Sequence, residues 1–202
     1  MIKKPMIKFL EEKKIDFNDS PLKGIFSDEE TKDLNYKNIE FNECIFNKVI
    51  IKGVLEKTTF VDVIFNNCDL SNCDFSNSTL IRVEFNNCRL VGTDFSFSSL
   101  REIKFEDTLM DYVNFSLSKL KKIIFKGNKM NYSSFVDTEF LQVSFLKNCL
   151  NNSDFINSKL EGLDFSDSEI EDINVTVDCL RGVSVNSFQA SELARYIGII
   201  VK

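Results

Sequence analysis

The chain has 202 residues, room for one domain with a sizeable core, and its 43% hydrophobic content is that of a globular protein. The makeup is lopsided, with 20 Phe against no Trp and no His, so one kind of buried slot is being filled repeatedly. A net charge of −6 argues against non-specific nucleic-acid binding, which needs cations to displace counterions, and a chain without histidine has no Ser-His or Cys-His nucleophile pair and no histidine metal site.

Residues 1–33 carry no repeat. Their first ten residues lack a continuous apolar stretch and a small-residue cleavage site, so no signal peptide is expected, and no segment of the chain approaches transmembrane length. Pro21, Gly24 and the acidic run Asp28-Glu29-Glu30 predict an N-terminal cap with a short helix. The six cysteines (Cys44, Cys68, Cys73, Cys88, Cys149 and Cys179) show no Cys-x-x-Cys spacing, which predicts free thiols in a cytoplasmic protein.

Residues 34–185 are periodic. Tyr36, Phe41, Phe46 and Ile51 stand five apart; the frame then slips by one residue near Gly53, and from Phe60 to Val185 every fifth residue is apolar. A period of five fits neither helix nor strand, so each repeat must be a short extended piece followed by a corner, and the chain must coil. The slip reads as a one-residue deletion at a corner, with glycine supplying an unusual dihedral.

The residue two before each centre is a second inward position, usually small or β-branched. Within it, Val63, Val83, Ile103, Ile123, Val143, Leu163 and Val183 recur every twenty residues, which gives four sides per coil. Phe and Leu alternate at the centres, so phenylalanine ladders are expected on two opposite walls. Asn128, Asn148 and Asp178 break the rule and are expected to be strained or locally exposed. Cys68 and Cys88 are expected to be stacked neighbours that remain thiols.

After Val185, Asn186 through Tyr196 predicts a short helix, and Ile197 onward an apolar tail. Phe188, Leu193, Ile197, Ile199 and Ile200 exceed what one cap needs, so they are read as meeting a partner subunit; a cap packed wholly on its own last coil is the alternative. Ahead of the helix, Glu161, Asp164, Asp167, Glu169, Glu171 and Asp172 fall in outward slots and form a candidate partner-binding acidic face, against the plainer reading of a solvated surface. The basic stretch Lys119, Lys121, Lys122, Lys126 and Lys129 lies two coils earlier. No glycine-rich phosphate loop is present, no cofactor is called for, and no enzyme is expected.

The segments Cys68-Asp69-Leu70, Cys73-Asp74-Phe75, Thr93-Asp94-Phe95 and Ser153-Asp154-Phe155 resemble the Ala-(Asp/Asn)-Leu-x-x motif of the pentapeptide-repeat family over residues 34–185. The resemblance implies an all-β fold, a right-handed quadrilateral parallel β-helix, here with a short C-terminal helix. The ending Arg181-Gly-Val-Ser-Val-Asn-Ser-Phe-Gln-Ala-Ser-Glu-Leu-Ala-Arg-Tyr-Ile-Gly-Ile199 looks like that of Qnr-type quinolone-resistance proteins. That likeness implies a homodimer joined through the C-terminal module, a DNA-mimicking rod with DNA gyrase or topoisomerase IV as partner, and no direct contact with nucleic acid or membrane. The unbroken frame from 60 to 185 leaves no place for the projecting loops that many Qnr proteins carry.

Overall fold

A computed structural model describes residues 2–8, 10–18, 20–31 and 34–201. The five-residue step takes one local form through most of the coil: two inward side chains, outward neighbours, then a corner residue in the left-handed region. Asn67, Asn72, Asn77 and Asn87 hold φ between 53° and 58° at such corners. Asparagine tolerates that conformation better than most side chains, which accounts for its frequency here.

The strands are β1 (Leu22–Ser27), β2 (Leu34–Lys37), β3 (Glu40–Asn47), β4 (Gly53–Glu56), β5 (Thr59–Asn66), β6 (Thr79–Asn86), β7 (Ser99–Glu106), β8 (Lys119–Lys126) and β9 (Glu139–Leu146). β1-β3-β5-β6-β7-β8-β9 form one parallel sheet, and β2-β4 a second. From β5 onward the register places each residue over the one twenty later, as in Phe65↔Phe85, Phe85↔Phe105 and Phe105↔Phe125. The product is a four-walled parallel β-solenoid. We number the walls by their centres: first Phe65, second Leu70, third Phe75, fourth Leu80.

The two phenylalanine walls face each other across the shaft. Within the first, Phe85 and Phe105 stack at 4.9 Å and 4°; between the first and third, Phe105 meets Phe95 edge-on at 6.3 Å and 70°. Both geometries suit the ring quadrupole, and each buried ring adds about 2–3 kcal/mol of transfer free energy. The fourth wall departs from leucine at Phe41, Phe60 and Phe140, of which only Phe140 is partly buried.

Asn128 and Asn148 correct the sequence reading. Both are buried and fully bonded: Asn128 donates to the Phe105 carbonyl at 3.1 Å and to Asn148 Oδ1 at 3.0 Å, and accepts the Thr108 N–H at 2.9 Å. Stacked amides satisfy each other as the serines and threonines of that row do, so an inward asparagine costs little. Asp178 is exposed, in a 3₁₀ turn over Val177–Leu180.

Around the frame slip, pairing runs at nineteen residues, as in Tyr36↔Leu55 and Phe41↔Phe60, and returns to twenty at Val54↔Asp74. Gly53 sits on the short side with φ +123°, and a Cβ there would lie 2.3 Å from the Leu34 carbonyl oxygen. The backbones approach too closely for any side chain.

The ends differ from expectation. No helix occurs among the described residues of 1–33, and β1 is already a rung of the coil, ahead of residue 34. Glu11 and Lys13 bond to Ile25 at 2.9 and 2.8 Å, adding a partial rung to the open sheet edge, and Phe17 plugs the shaft by stacking on Tyr36 at 5.1 Å. Edge capping by extended chain needs no helical pattern. At the other end α1 (Ser187–Leu193) closes the shaft, opened by a capping box between Asn186 and Gln189.

One joint between coils is different. No backbone hydrogen bond connects β9 to residues 159–166. The Leu163 N–H instead bonds within its own turn, to the Leu160 carbonyl at 3.0 Å, although Phe145 and Phe165 still lie 4.9 Å apart below.

Candidate interaction surfaces

The six acidic residues of the candidate face are all exposed. They do not share one wall: Glu161, Asp164 and Asp167 lie along the fourth and first walls, Glu169, Glu171 and Asp172 along the second, so the charge forms a collar around one end of the rod. Asp164 accepts the Ser166 N–H at 2.9 Å, and that backbone hydrogen bond holds its carboxyl below the ordinary range. Asp167 accepts the Lys147 N–H at 3.2 Å.

The C-terminal module is anchored to the last coil by Gln189, whose Nε2 donates to the carbonyls of Phe165 and Ser168 at 3.0 and 2.6 Å, and by the Tyr196 hydroxyl, which donates to the Ile173 carbonyl. Of the five apolar residues singled out there, Leu193 packs against the protein's own core. The others project: Phe188 is 64% and Ile200 84% exposed, with Ile197 and Ile199 beside them. Beneath α1, Phe188 and Leu193 line an open cavity of about 160 Å³ with Glu169, Glu171 and Glu192.

A third surface was not apparent from the sequence. Residues 2–8 run lengthwise outside the β1–β9 sheet, with the Lys8 N–H on Glu43 Oε2 at 3.3 Å, the Met6 N–H on Asp62 Oδ1 at 2.8 Å, and Ile2 beside Lys122 and Gln142. This strap covers a row of corner residues that alternate in charge, Asp62, Arg82, Glu102 and Lys122, and leaves Asp62 only 5% exposed. Burial works against the charged form of Asp62, but the Arg82 side chain and the Met6 amide together hold its carboxyl below the usual value. Alternating charge at twenty-residue spacing was the available signal.

The lysines of the basic stretch, apart from Lys129, lie on the same sheet and are partly neutralised. Lys119 pairs with Glu139 at 3.2 Å, Lys122 with Glu102 at 3.8 Å and Lys126 with Glu106 at 2.7 Å.

All six cysteines are free and, apart from Cys149, buried. Burial pushes the Cys44 and Cys73 thiols up to about 12, and the contact with the Cys68 sulfur, together with burial, raises Cys88.

Residues 58–135 match the family model of the pentapeptide repeat region. Among solved structures, a trypsin-treated form of QnrB1, a plasmid-mediated fluoroquinolone resistance protein, is 22% identical, covering 88% of this chain and 97% of that one at a TM-score of 0.48. HetL, a pentapeptide repeat protein involved in heterocyst differentiation regulation from the cyanobacterium Nostoc, is 10% identical, covering 80% and 85% at a TM-score of 0.35. No curated protein sequence matches. Among the described residues no helix is long and apolar enough to cross a membrane.

Proposed function

Since the chain is a pentapeptide-repeat protein, we propose that it works as a Qnr-type binding rod: a cytoplasmic homodimer, joined through its C-terminal module, that engages DNA gyrase or topoisomerase IV and protects or modulates the enzyme against quinolones or peptide toxins. It does so by imitating duplex DNA, and it catalyses nothing itself. The observation that carries this reading is the exposed tail, where Phe188, Ile197, Ile199 and Ile200 project from the rod end within a sequence that resembles the ending of Qnr-type proteins. Uncovered apolar side chains concentrated at one end are what a self-complementary dimer contact requires. Dimerisation through this end brings two acidic collars close to the centre of a long rod, where a DNA-binding saddle meets negative charge.

Size-exclusion chromatography with light scattering tests the assembly: the full chain is expected to run as a dimer and a truncation after Val185 as a monomer. A supercoiling assay with purified gyrase, with and without a quinolone, tests the partner, and no effect at micromolar concentrations rejects it. A second reading, an adaptor solenoid without gyrase activity, is favoured by the lysines of β8, which interrupt the negative surface that DNA mimicry calls for. A pull-down that recovers another protein and no topoisomerase selects it.

A further inference from the structure

The third wall differs from the other three in its charge. Its outward positions and flanking corners, residues 72–77, 92–97, 112–117, 132–137, 152–157 and 172–177, contain Asp74, Asp94, Asp137, Asp154 and Asp172 and not one of the chain's 25 lysines and arginines. From residue 72 to 177 the wall is therefore a cation-free strip; its earlier rungs, at β2 and β4, carry Lys37, Lys52 and Lys57.

Four large side chains stand along its edges. On one corner Tyr112 and Tyr132, 60% and 53% exposed, stack at 5.1 Å and 8°; on the other are Phe97 and Leu117, 59% and 48% exposed. All four occupy left-handed corners, with φ of 61°, 58°, 56° and 60°. Coils nearer the ends put asparagine at those places, as at Asn72, Asn77, Asn152 and Asn157, which suits the turn better. Bulky apolar groups here serve neither the corner nor the core, since their side chains point into solvent. Between the two ridges lies a floor of small polar groups, with Ser116 and Ser134 hydrogen-bonded at 2.7 Å across the coils.

We propose that this trough is the rod's docking surface for a protein segment carrying arginine or lysine beside apolar side chains. The stacked tyrosines offer a ring face and edge to a guanidinium, Phe97 and Leu117 take the apolar neighbours, and the uncompensated aspartates supply the attracting field. The choice of a cationic occupant follows from charge complementarity, because no positive group between residues 72 and 177 of this wall repels it. The inference rests on the reading of the rod as protein-binding and assigns the face; it does not depend on which protein is bound.

The probe is a synthetic peptide of alternating arginine and leucine with one tryptophan, compared with the same peptide carrying glutamate for arginine. The chain has no Trp, so tryptophan emission reports the peptide alone. Wild type is expected to bind the arginine peptide at least tenfold more tightly than the glutamate peptide. The variant F97N/Y112N/L117N/Y132N, which changes no charge and restores the corner residue of neighbouring coils, is expected to lose at least tenfold, whereas K121E, at the far edge of the fourth wall, loses nothing. Circular dichroism melting verifies the fold, and the double variants F97N/L117N and Y112N/Y132N replace the quadruple one if it does not fold. Equal binding by wild type and the asparagine variant overturns the proposal, as does no binding of the arginine peptide. The same variants are then assayed with gyrase. Peptide binding without any effect on gyrase removes the topoisomerase reading alone; a gyrase effect unchanged in the asparagine variant removes the face.

Discussion

Arg82 donates through Nε and Nη2 to the two carboxylate oxygens of Asp62 at 2.6 and 2.7 Å, one coil apart at the corner between the fourth and first walls. The same carboxylate accepts the Met6 amide, so a single aspartate joins two coils and the N-terminal strap. Asp62→Ala is expected to cost on the order of 2 kcal/mol in urea unfolding, less than the ~3–5 kcal/mol for a fully buried pair because Arg82 reaches solvent. It also frees the strap, seen as faster hydrogen exchange at the Met6 amide.

The sign of its pH dependence follows from the lowered carboxyl. A group whose folded-state pKa lies below its unfolded value, about 4 for aspartate, stabilises fully above that value and loses its contribution as pH falls through the folded one. The strap is therefore expected to stay closed at neutral pH and to exchange more rapidly only below about pH 4. An exchange rate at Met6 that is unchanged between neutral pH and pH 3, after correction for intrinsic chemistry, contradicts this.

Gly53→Ala is expected to destabilise by about 3 kcal/mol or more, because the added Cβ meets backbone at 2.3 Å at a φ that L residues avoid. Gly162→Ala, also at positive φ but with open space around it, should cost only about 1 kcal/mol. Thermal melts of the two variants side by side measure the difference.

Asn128→Ala removes the acceptor of the Thr108 N–H and a donor to the Phe105 carbonyl in a buried row, an expected loss of about 2 kcal/mol. Asn128→Ser keeps an acceptor where the neighbouring rows use serine, as Ser78 does for the Thr58 N–H, and is expected to recover at least half of that loss in the same unfolding experiment.

Native-state alkylation should separate the thiols. Cys149 is the half-exposed one and is expected to react first with iodoacetamide, while Cys44 and Cys73, raised to about 12 inside the shaft, label only after unfolding. Peptide mass spectrometry over time gives the order.

The coil was legible because Phe65, Phe85 and Phe105 answer to one steric requirement repeated at a fixed interval, and repetition accumulates signal that a single residue cannot. The inward asparagines were misread for the converse reason: Asn128 looks costly alone, and only the stacking of Asn148 over it completes its hydrogen bonds. Leu193 and Ile200 are equally apolar in the sequence, yet one lies on the core and the other in solvent, a distinction that depends on where α1 docks. The strap was hidden because Met6 and Lys8 are held through their backbone amides, which any residue possesses. The tyrosine ridge carries no comparable signal, because Tyr112 and Tyr132 stand in the outward register, where no shared core constrains the residue type.

Solenoids transmit load from coil to coil, so their stiffness is set by the joint with fewest cross-links. The step from β9 to residues 159–166 keeps its ring contact and turn but lacks the backbone ladder that fastens every neighbour within the sheet. Bending is accordingly expected to start on that one face, because the second and third walls of the same step keep their backbone bonds, as from Leu150 to Glu169 and from Phe155 to Asn174. In a dimer of the kind proposed, each arm would flex first toward or away from that face.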